Sequence, residues 1–328
     1  MKGRRALVTG AGGFIGSHLV EALVEAGADV TALLHYNADA AIGNLRLLPP
    51  DVLARVQLVH GDINDADFVR RLVAKSEVIF HLGALIAIPH SYSAPRSYVQ
   101  TNVGGTLNVL EAVRAGDGQR LVHTSTSEVY GSARYVPIDE AHPLQAQSPY
   151  AATKIAADKL VESYVRSFGL AAVTVRPFNT FGPRQSARAF IPTVIGQVLG
   201  GAAAVKLGAT TPVRDLTYVG DTVAGFIAAA TTPGIEGGCF NLGTGTGVAV
   251  GDVATRIMAL MGSQARIELD AQRLRPAASE VDRLISANGA FTAASGWRPM
   301  VSLDEGLRRT IAFFERHRDL LPSSGYVT

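Results

Sequence analysis

Cysteine is nearly absent. One residue, Cys239, occurs in 328, which excludes an intrachain disulfide and any cysteine-built metal cluster. It is expected as a small buried apolar residue, and no metal site is expected at all. Charge of either sign is not in excess: 30 Lys and Arg against 28 Asp and Glu leave a formal +2. With no Lys/Arg-rich tract, neither nucleic acid nor an anionic membrane surface is an expected partner. Any anion must be held by a few placed arginines and by helix N-termini. Long apolar runs are missing too, so no segment is expected to span a bilayer. The basic start, Met1 to Arg5, is followed only by Ala6-Leu7-Val8-Thr9 before Gly10, too short a run for a signal peptide. The expectation is a cytoplasmic protein without a membrane partner. A hydrophobic fraction of 47% against 18% charged residues then excludes a disordered chain.

What is present is rhythm. Short β-branched runs at 5–9, 29–34, 56–60, 78–82 and 120–124 alternate with helical patterns at 14–27, 65–75, 100–116 and 150–168. Strands alternating with helices of this length predict an α/β fold, a doubly wound parallel sheet covered on both faces. After Val175 proline and glycine become frequent, so a dinucleotide-type domain is placed at 1–175 and a smaller mixed α/β substrate domain at 176–328. Residues 215–231 are expected to rejoin the first domain, and the end from His317 is expected to fray.

Gly10-Ala-Gly-Gly13-Phe14-Ile15-Gly16 lies between the first strand and the first helix. Glycines there permit a tight turn, close approach of backbone to a pyrophosphate, and helix–strand packing, with the helix N-terminus facing the anion. The spacing Gly-x-x-Gly-x-x-Gly resembles the extended short-chain dehydrogenase/reductase superfamily. At the second strand's end, Leu33-Leu34-His35-Tyr36-Asn37 offers neither the acidic residue of NAD sites nor the arginine of NADP sites. The missing arginine favours NAD, with NADP left open. Asp62-Ile63 matches the superfamily's adenine-contact pair, although an aspartate there also serves as an ordinary turn residue.

Ser148-Pro149 reads as a helix start, cap followed by first-turn proline. Tyr150 and Lys154 are then four apart on one face. A free tyrosine titrates near ~10 and is a poor base at neutral pH. A neighbouring ammonium and a positive nicotinamide are expected to lower that value and make the pair an acid/base unit. Thr124-Ser125-Thr126-Ser127-Glu128 emerges at a strand's carboxyl end, where doubly wound folds place ligands, and Thr126 is the natural donor to a substrate oxygen.

The glycine turn, Asp62-Ile63, His81-Leu82-Gly83-Ala84, Asn102, Thr126, Tyr150, Lys154 and Arg176-Pro-Phe-Asn179 together resemble the NAD-dependent nucleotide-sugar epimerase/dehydratase family over nearly the whole chain. The resemblance implies a Rossmann-type fold, with NAD held by Gly10, Gly13, Phe14, Ile15, Gly16, Asp62, Ile63, Leu82, Tyr150 and Lys154. It implies that Asn102 organises the site, where a helix cap is the plainer alternative, and that the partner is a nucleotide sugar. Gly83 stands where alanine is usual. Glu128 is the discriminating residue: 4,6-dehydratases carry an acid there to take the sugar C5 proton, and simple 4-epimerases usually do not. Thymidine-diphosphoglucose dehydratases pair that acid with an aspartate, here Ser127, which makes the site more similar to GDP-mannose 4,6-dehydratases. UDP-glucuronate decarboxylases share Thr-Ser-Glu, so the triad leaves that reaction open.

Residues 87–92, 177–188 and 274–282 look like the dehydratases acting on nucleotide-linked N-acetylglucosamine in legionaminic-acid-type pathways, while Arg96 departs from the acidic or polar residue expected there. By this resemblance Asn179, Arg184, Arg214 and Arg275 are nucleotide-sugar-binding candidates, the guanidinium fork suiting phosphate oxygens. The function implied is a nucleotide-sugar 4,6-dehydratase with Thr126, Ser127, Glu128, Tyr150 and Lys154 as its catalytic set. Helices 100–116 and 150–168 resemble those that build a homodimeric four-helix bundle. The alternatives are a 4-epimerase, a UDP-glucuronate decarboxylase, and a dinucleotide-sensing binding protein without turnover.

Overall fold

The computed structural model describes residues 1–274 and 280–321. The predicted strands form as β1 (Arg5–Thr9), β2 (Asp29–His35), β3 (Val56–Gly61), β4 (Val78–His81) and β5 (Arg120–Thr124). Between them lie α1 (Phe14–Glu25), α2 (Pro50–Leu53), α3 (Ala66–Val73), α4 (Ile88–Ser93), α5 (Pro95–Tyr98) and α6 (Gly105–Arg114). Next come α7 (Pro149–Phe168) and β6 (Ala172–Pro177). Helix α7 starts as its sequence predicts: the Ser148 side chain accepts from Ala151 N–H at 3.1 Å, Pro149 opens the first turn, and Gly169 ends the helix in the left-handed region.

The sheet has seven parallel strands in the order β10-β6-β5-β4-β1-β2-β3, where β10 is Cys239–Leu242. This is a doubly wound, Rossmann-like α/β sheet. Its strand order reverses between β1 and β4, and the crevice beyond their carboxyl ends is where such sheets take ligands. One face buries Leu19, Leu23, Val24 and Phe226 against β1, β2 and β4; the other buries Ile79, Leu110, Val113 and Val161.

Beyond β6 the chain builds a second core from β7 (Asn179–Phe181), α8 (Phe190–Leu199), β8 (Ala204–Leu207) and β9 (Val213–Tyr218). The chain then returns to the large sheet through α9 (Val219–Thr231), which packs on α1, β5 and β6, and through β10. The return thus extends past residue 231. The short run 239–242 gives no strand signal of its own, yet it completes the sheet edge beside β6. The remaining elements are β11 (Gly247–Ala249), α10 (Val250–Leu260), β12 (Arg266–Leu269), β13 (Arg283–Leu284), α11 (Gly289–Ser295) and α12 (Leu303–Arg316). Strand β9 is shared by β7, β11 and β13. Among the described residues no helix is long and apolar enough to cross a membrane, and no cluster of His, Cys, Asp or Glu could hold a metal.

One difference from the predicted helix 100–116 bears on the site. Val99–Gly104 form a turn of π-helix leading into α6, and Asn102 is buried within it. Such turns are rare and cluster at functional sites. Here the wider turn lets Asn102 reach sideways. Its Oδ1 accepts from Leu85 N–H at 2.8 Å, and its Nδ2 donates to Leu85 C=O and to Thr153 Oγ1, both at 3.0 Å. Asn102 is therefore not a helix cap; it ties the loop after β4 to α7.

Candidate active site

The glycine turn sits at the switch point. Gly10 has φ +69°, and a Cβ on it would stand 2.9 Å from the Gly83 nitrogen and the Leu82 carbonyl carbon. A Cβ on Gly16 would fall 2.2 Å from the Gly10 carbonyl oxygen, so only glycine permits this approach. Gly13 N–H donates to Gly10 C=O at 3.0 Å, and α1 begins at Phe14 and Ile15 with no side-chain cap and no acidic residue in its first turn. The first-turn amides have no intrahelical acceptor and stand beside a backbone surface stripped of side chains. This cradle fits a dinucleotide pyrophosphate. At the rim, Asp62 Oδ1 accepts from Asn64 N–H and Nδ2, both at 2.9 Å, which shapes the turn after β3. Ile63 is buried under Gly105.

A line of hydrogen bonds joins this cradle to α7. Gly83 N–H donates to Thr9 Oγ1 (2.9 Å), which meets His81 Nδ1 (2.9 Å); His81 Nε2 meets Thr106 Oγ1 (3.0 Å), which donates to Asn102 C=O (2.6 Å). Because the Thr106 hydroxyl donates to that carbonyl, it accepts from His81, so the imidazole carries its proton on Nε2 and takes the Thr9 hydroxyl on Nδ1. Burial holds His81 well below its ordinary pKa, so the ring is neutral, as this pattern needs. Thr153 Oγ1, bonded by Asn102, donates in turn to Tyr150 C=O at 2.7 Å.

Tyr150, in the first turn of α7, is buried, with its phenol hydrogen-bonded to the Thr126 side chain. Thr126 Oγ1 also accepts from Glu128 N–H at 3.2 Å, fixing the tight turn Ser127–Tyr130. Ser127 is buried in that turn, and Glu128 is half-buried close enough for its charge to act on the phenol. The structure thus brings Thr126, Glu128, Tyr150 and Lys154 to one end of β5 and α7. Burial pushes the Tyr150 phenol above its ordinary pKa; the Thr126 bond opposes this, while Glu128, Asp158 and Tyr98 add to it. This differs from the expected lowering by Lys154. The Lys154 ammonium donates to Thr124 C=O at 2.6 Å, and its own pKa is brought from 10.5 to about 8, by burial.

Tyr98 was not legible as a site residue. It is buried, stands edge-on to Tyr150 at 6.4 Å between ring centroids, and donates to Ala87 C=O at 2.6 Å. Its only signal is an aromatic in the segment just before the π-turn.

The proposed nucleotide-sugar residues are spread. Asn179, at the start of β7, keeps a buried Oδ1 without a partner among the described residues. Arg214 on β9 pairs with Glu280 at 3.1 Å. Arg275 lies outside the described residues. Arg184 follows a different course: at φ +65° its side chain turns onto α1 and pairs with Glu21 at 2.7 Å. Next to it, His18 Nε2 donates to Pro183 C=O at 2.8 Å, and Asn44 Nδ2 donates to Arg184 C=O at 3.0 Å. Arg184 therefore clamps the 182–185 segment to the cofactor-side helix.

This clamp carries a pH signature. His18 titrates at 6.5 when unfolded and at about 4 when folded, through burial and the Arg184 charge. Between those values only the unfolded chain takes up the proton, so stability falls as pH drops through the window, by up to about 3 kcal/mol from this group. Equilibrium unfolding at about pH 7 and about pH 4.5 should show a smaller acid loss in His18→Gln than in the wild type. Equal losses would contradict the assignment.

The chain matches the family model described as GDP-mannose 4,6 dehydratase over residues 7–310. It is 33% identical over 315 residues to a UDP-glucose 4-epimerase of Mycolicibacterium smegmatis, an alignment spanning 94% of this chain and 98% of the relative. It is 40% identical over 223 residues to a dTDP-glucose 4,6-dehydratase of Mycobacterium tuberculosis, covering 66% of each. The crystal structure of the dTDP-glucose 4,6-dehydratase DesIV from Streptomyces venezuelae with NAD bound superposes with a TM-score of 0.86 at 31% identity, covering 97% of this chain and 98% of that one.

Proposed function

This chain belongs to the GDP-mannose 4,6-dehydratase family, among the extended short-chain epimerases and dehydratases, and from that premise we propose that it is a nucleotide-sugar 4,6-dehydratase. Its substrate in this reading is an NDP-hexose, NDP-N-acetylglucosamine with UDP or GDP as the nucleotide. Gly10, Gly13, Gly16 and the start of α1 would hold NAD, which when bound would supply the hydride chemistry of an internal redox cycle between sugar C4 and C6. The chain's own groups move the protons. Thr126 orients the C4 hydroxyl and the Tyr150 phenolate takes its proton as the 4-ketone forms. Glu128 removes the C5 proton, which that ketone makes acidic. The C6 hydroxyl departs as water with a proton from Ser127, Glu128 or an ordered water, and C5 is reprotonated as C6 is reduced. The balance is loss of one water, giving a 4-keto-6-deoxy sugar. Asn179, Arg184, Arg214 and Arg275 bind the nucleotide diphosphate or sugar, with Arg184 and Arg214 also paired to Glu21 and Glu280.

The single observation that carries this reading is Glu128, held by the Thr126 turn within electrostatic reach of Tyr150. Supplying UDP-, GDP- and dTDP-hexoses in turn and identifying the product by mass and NMR tests it. A second reading, 4-epimerisation, has the full-length similarity to an epimerase in its favour and predicts a product of unchanged mass. Decarboxylation of a uronic acid would instead release carbon dioxide.

The protein is also proposed to be a homodimer through α6 and α7. Leu107 and Arg114 lie two turns apart on α6, and the exposed Phe168 ring of α7 stacks under Arg114 at 5.0 Å. Light scattering should give twice the chain mass for the wild type and a lower mass for Leu107→Glu. A wild-type monomer would contradict the dimer.

A further inference from the structure

Asp158 lies one helical turn beyond Lys154 and two beyond Tyr150 on α7, so the three share a face. It is buried, and its carboxylate collects donors from two strands. Ser125 Oγ donates at 2.8 Å and His123 Nε2 at 3.2 Å from β5 and its end. Arg176 of β6 donates through Nε at 3.1 Å and Nη2 at 2.9 Å. An ionised carboxylate only accepts, so the His123 proton is on Nε2, and burial keeps that ring neutral by lowering its pKa. Arg176 Nη1 continues to the Tyr130 hydroxyl at 2.9 Å, which donates to Asn241 at 2.7 Å. Asp158 and Arg176 also line a surface cavity of about 490 Å³ with Glu140, His142, Lys159 and Cys239. A buried carboxylate with this many donors is fixed in place and stays charged; in agreement, its pKa is lowered despite burial.

We propose that Asp158 is a positioning residue of the acid/base site, the carboxylate that keeps Lys154 an ammonium against the Thr124 carbonyl. The groups facing Lys154 make this the decisive charge. Asp158 of α7, His81 of β4 and His123 of β5 lie within electrostatic reach of Lys154. Both histidines are neutral, and Arg176 is already paired with Asp158. Burial brings the Lys154 pKa to about 8, and Asp158 is the charge that opposes a further fall. Without it, Lys154 would lose its proton nearer neutrality, and the ammonium held against Thr124 would be lost. The inference rests on the reading of Tyr150 and Lys154 as the acid/base pair.

The test reads Lys154 directly. The chain has five lysines, 2, 75, 154, 159 and 206, so [13Cε]lysine labelling of the full-length protein gives a resolvable titration for each. The Lys154 signal is assigned by its loss in Lys154→Arg. In Asp158→Asn its midpoint should fall by roughly one to three pH units, and Asp158→Glu should restore it. The alkaline limb of the kcat profile should move to lower pH by the same amount, so activity lost near pH 8 returns on acidification. Asp158→Asn strands the Arg176 charge, so the double variant Asp158→Asn/Arg176→Gln removes the pair together and should show the same fall in a folded protein. A Lys154 midpoint unmoved in either folded variant overturns the proposal. A midpoint that falls while the wild type turns over no nucleotide sugar upholds the electrostatic role of Asp158 and overturns the reaction assigned above.

Discussion

Tyr150→Phe is expected to lower turnover roughly 10²- to 10⁴-fold, the usual worth of a positioned acid/base, while leaving dinucleotide affinity unchanged. The ring is buried against Tyr98 and Ile88, so phenylalanine keeps the packing and removes only the hydroxyl bonded to Thr126. Cofactor affinity survives because the cradle is made by Gly10, Gly13, Gly16 and the start of α1, and the hydrogen-bonded line from Thr9 through His81 and Asn102 ends on the Tyr150 carbonyl, not its phenol. The phenol's raised pKa sharpens the expectation. Burial favours the protonated phenol and the Thr126 bond only partly opposes it, so the positive charge of an oxidised nicotinamide would favour the phenolate further. Turnover and dinucleotide titration of the same preparation check this, and retained turnover would remove Tyr150 from the mechanism.

Glu128→Gln is expected to stop exchange of the sugar C5 proton with solvent deuterium and to reduce 4-keto-6-deoxy product by roughly 10²- to 10⁴-fold. Glutamine keeps the backbone turn in which the Glu128 amide donates to Thr126, so Tyr150 and Thr126 stay placed to oxidise C4. The two substitutions thus separate the reaction: one removes oxidation at C4, the other only the elimination at C5 and C6. An epimerase has no use for a base at C5 and would retain its product in Glu128→Gln. Undiminished C5 exchange would exclude Glu128 as the base.

The sheet was legible because its strands are buried on both faces and therefore read as short β-branched runs separated by helical periods, and β1 to β5 appear where those runs lie. The placement of Tyr150 and Lys154 on one face at the start of α7 was legible because a cap, a proline and an i, i+4 spacing are all local signals. What escaped the sequence depends on the folded chain. Strand β10 is specified by its edge position beside β6, not by its own four residues. The π-turn around Asn102 depends on the bonds its side chain makes to Leu85 and Thr153, which are distant in sequence. The Arg184 pairing with Glu21 of α1, at a residue with φ +65°, had no local signal in the sequence. Asp158 continued the 150, 154 series in plain view; its meaning came only with Ser125 and Arg176 from neighbouring strands.

The central claim is that Tyr150 and Glu128 act in sequence on one sugar, and product identity in deuterated solvent tests it most directly. Incubation with UDP- and GDP-N-acetylglucosamine should yield a nucleotide sugar lighter by one water, with a 4-ketone, a C6 methyl group and deuterium at C5. A product of unchanged mass inverted at C4, with no solvent deuterium at C5, would contradict the account and leave Glu128 without a role.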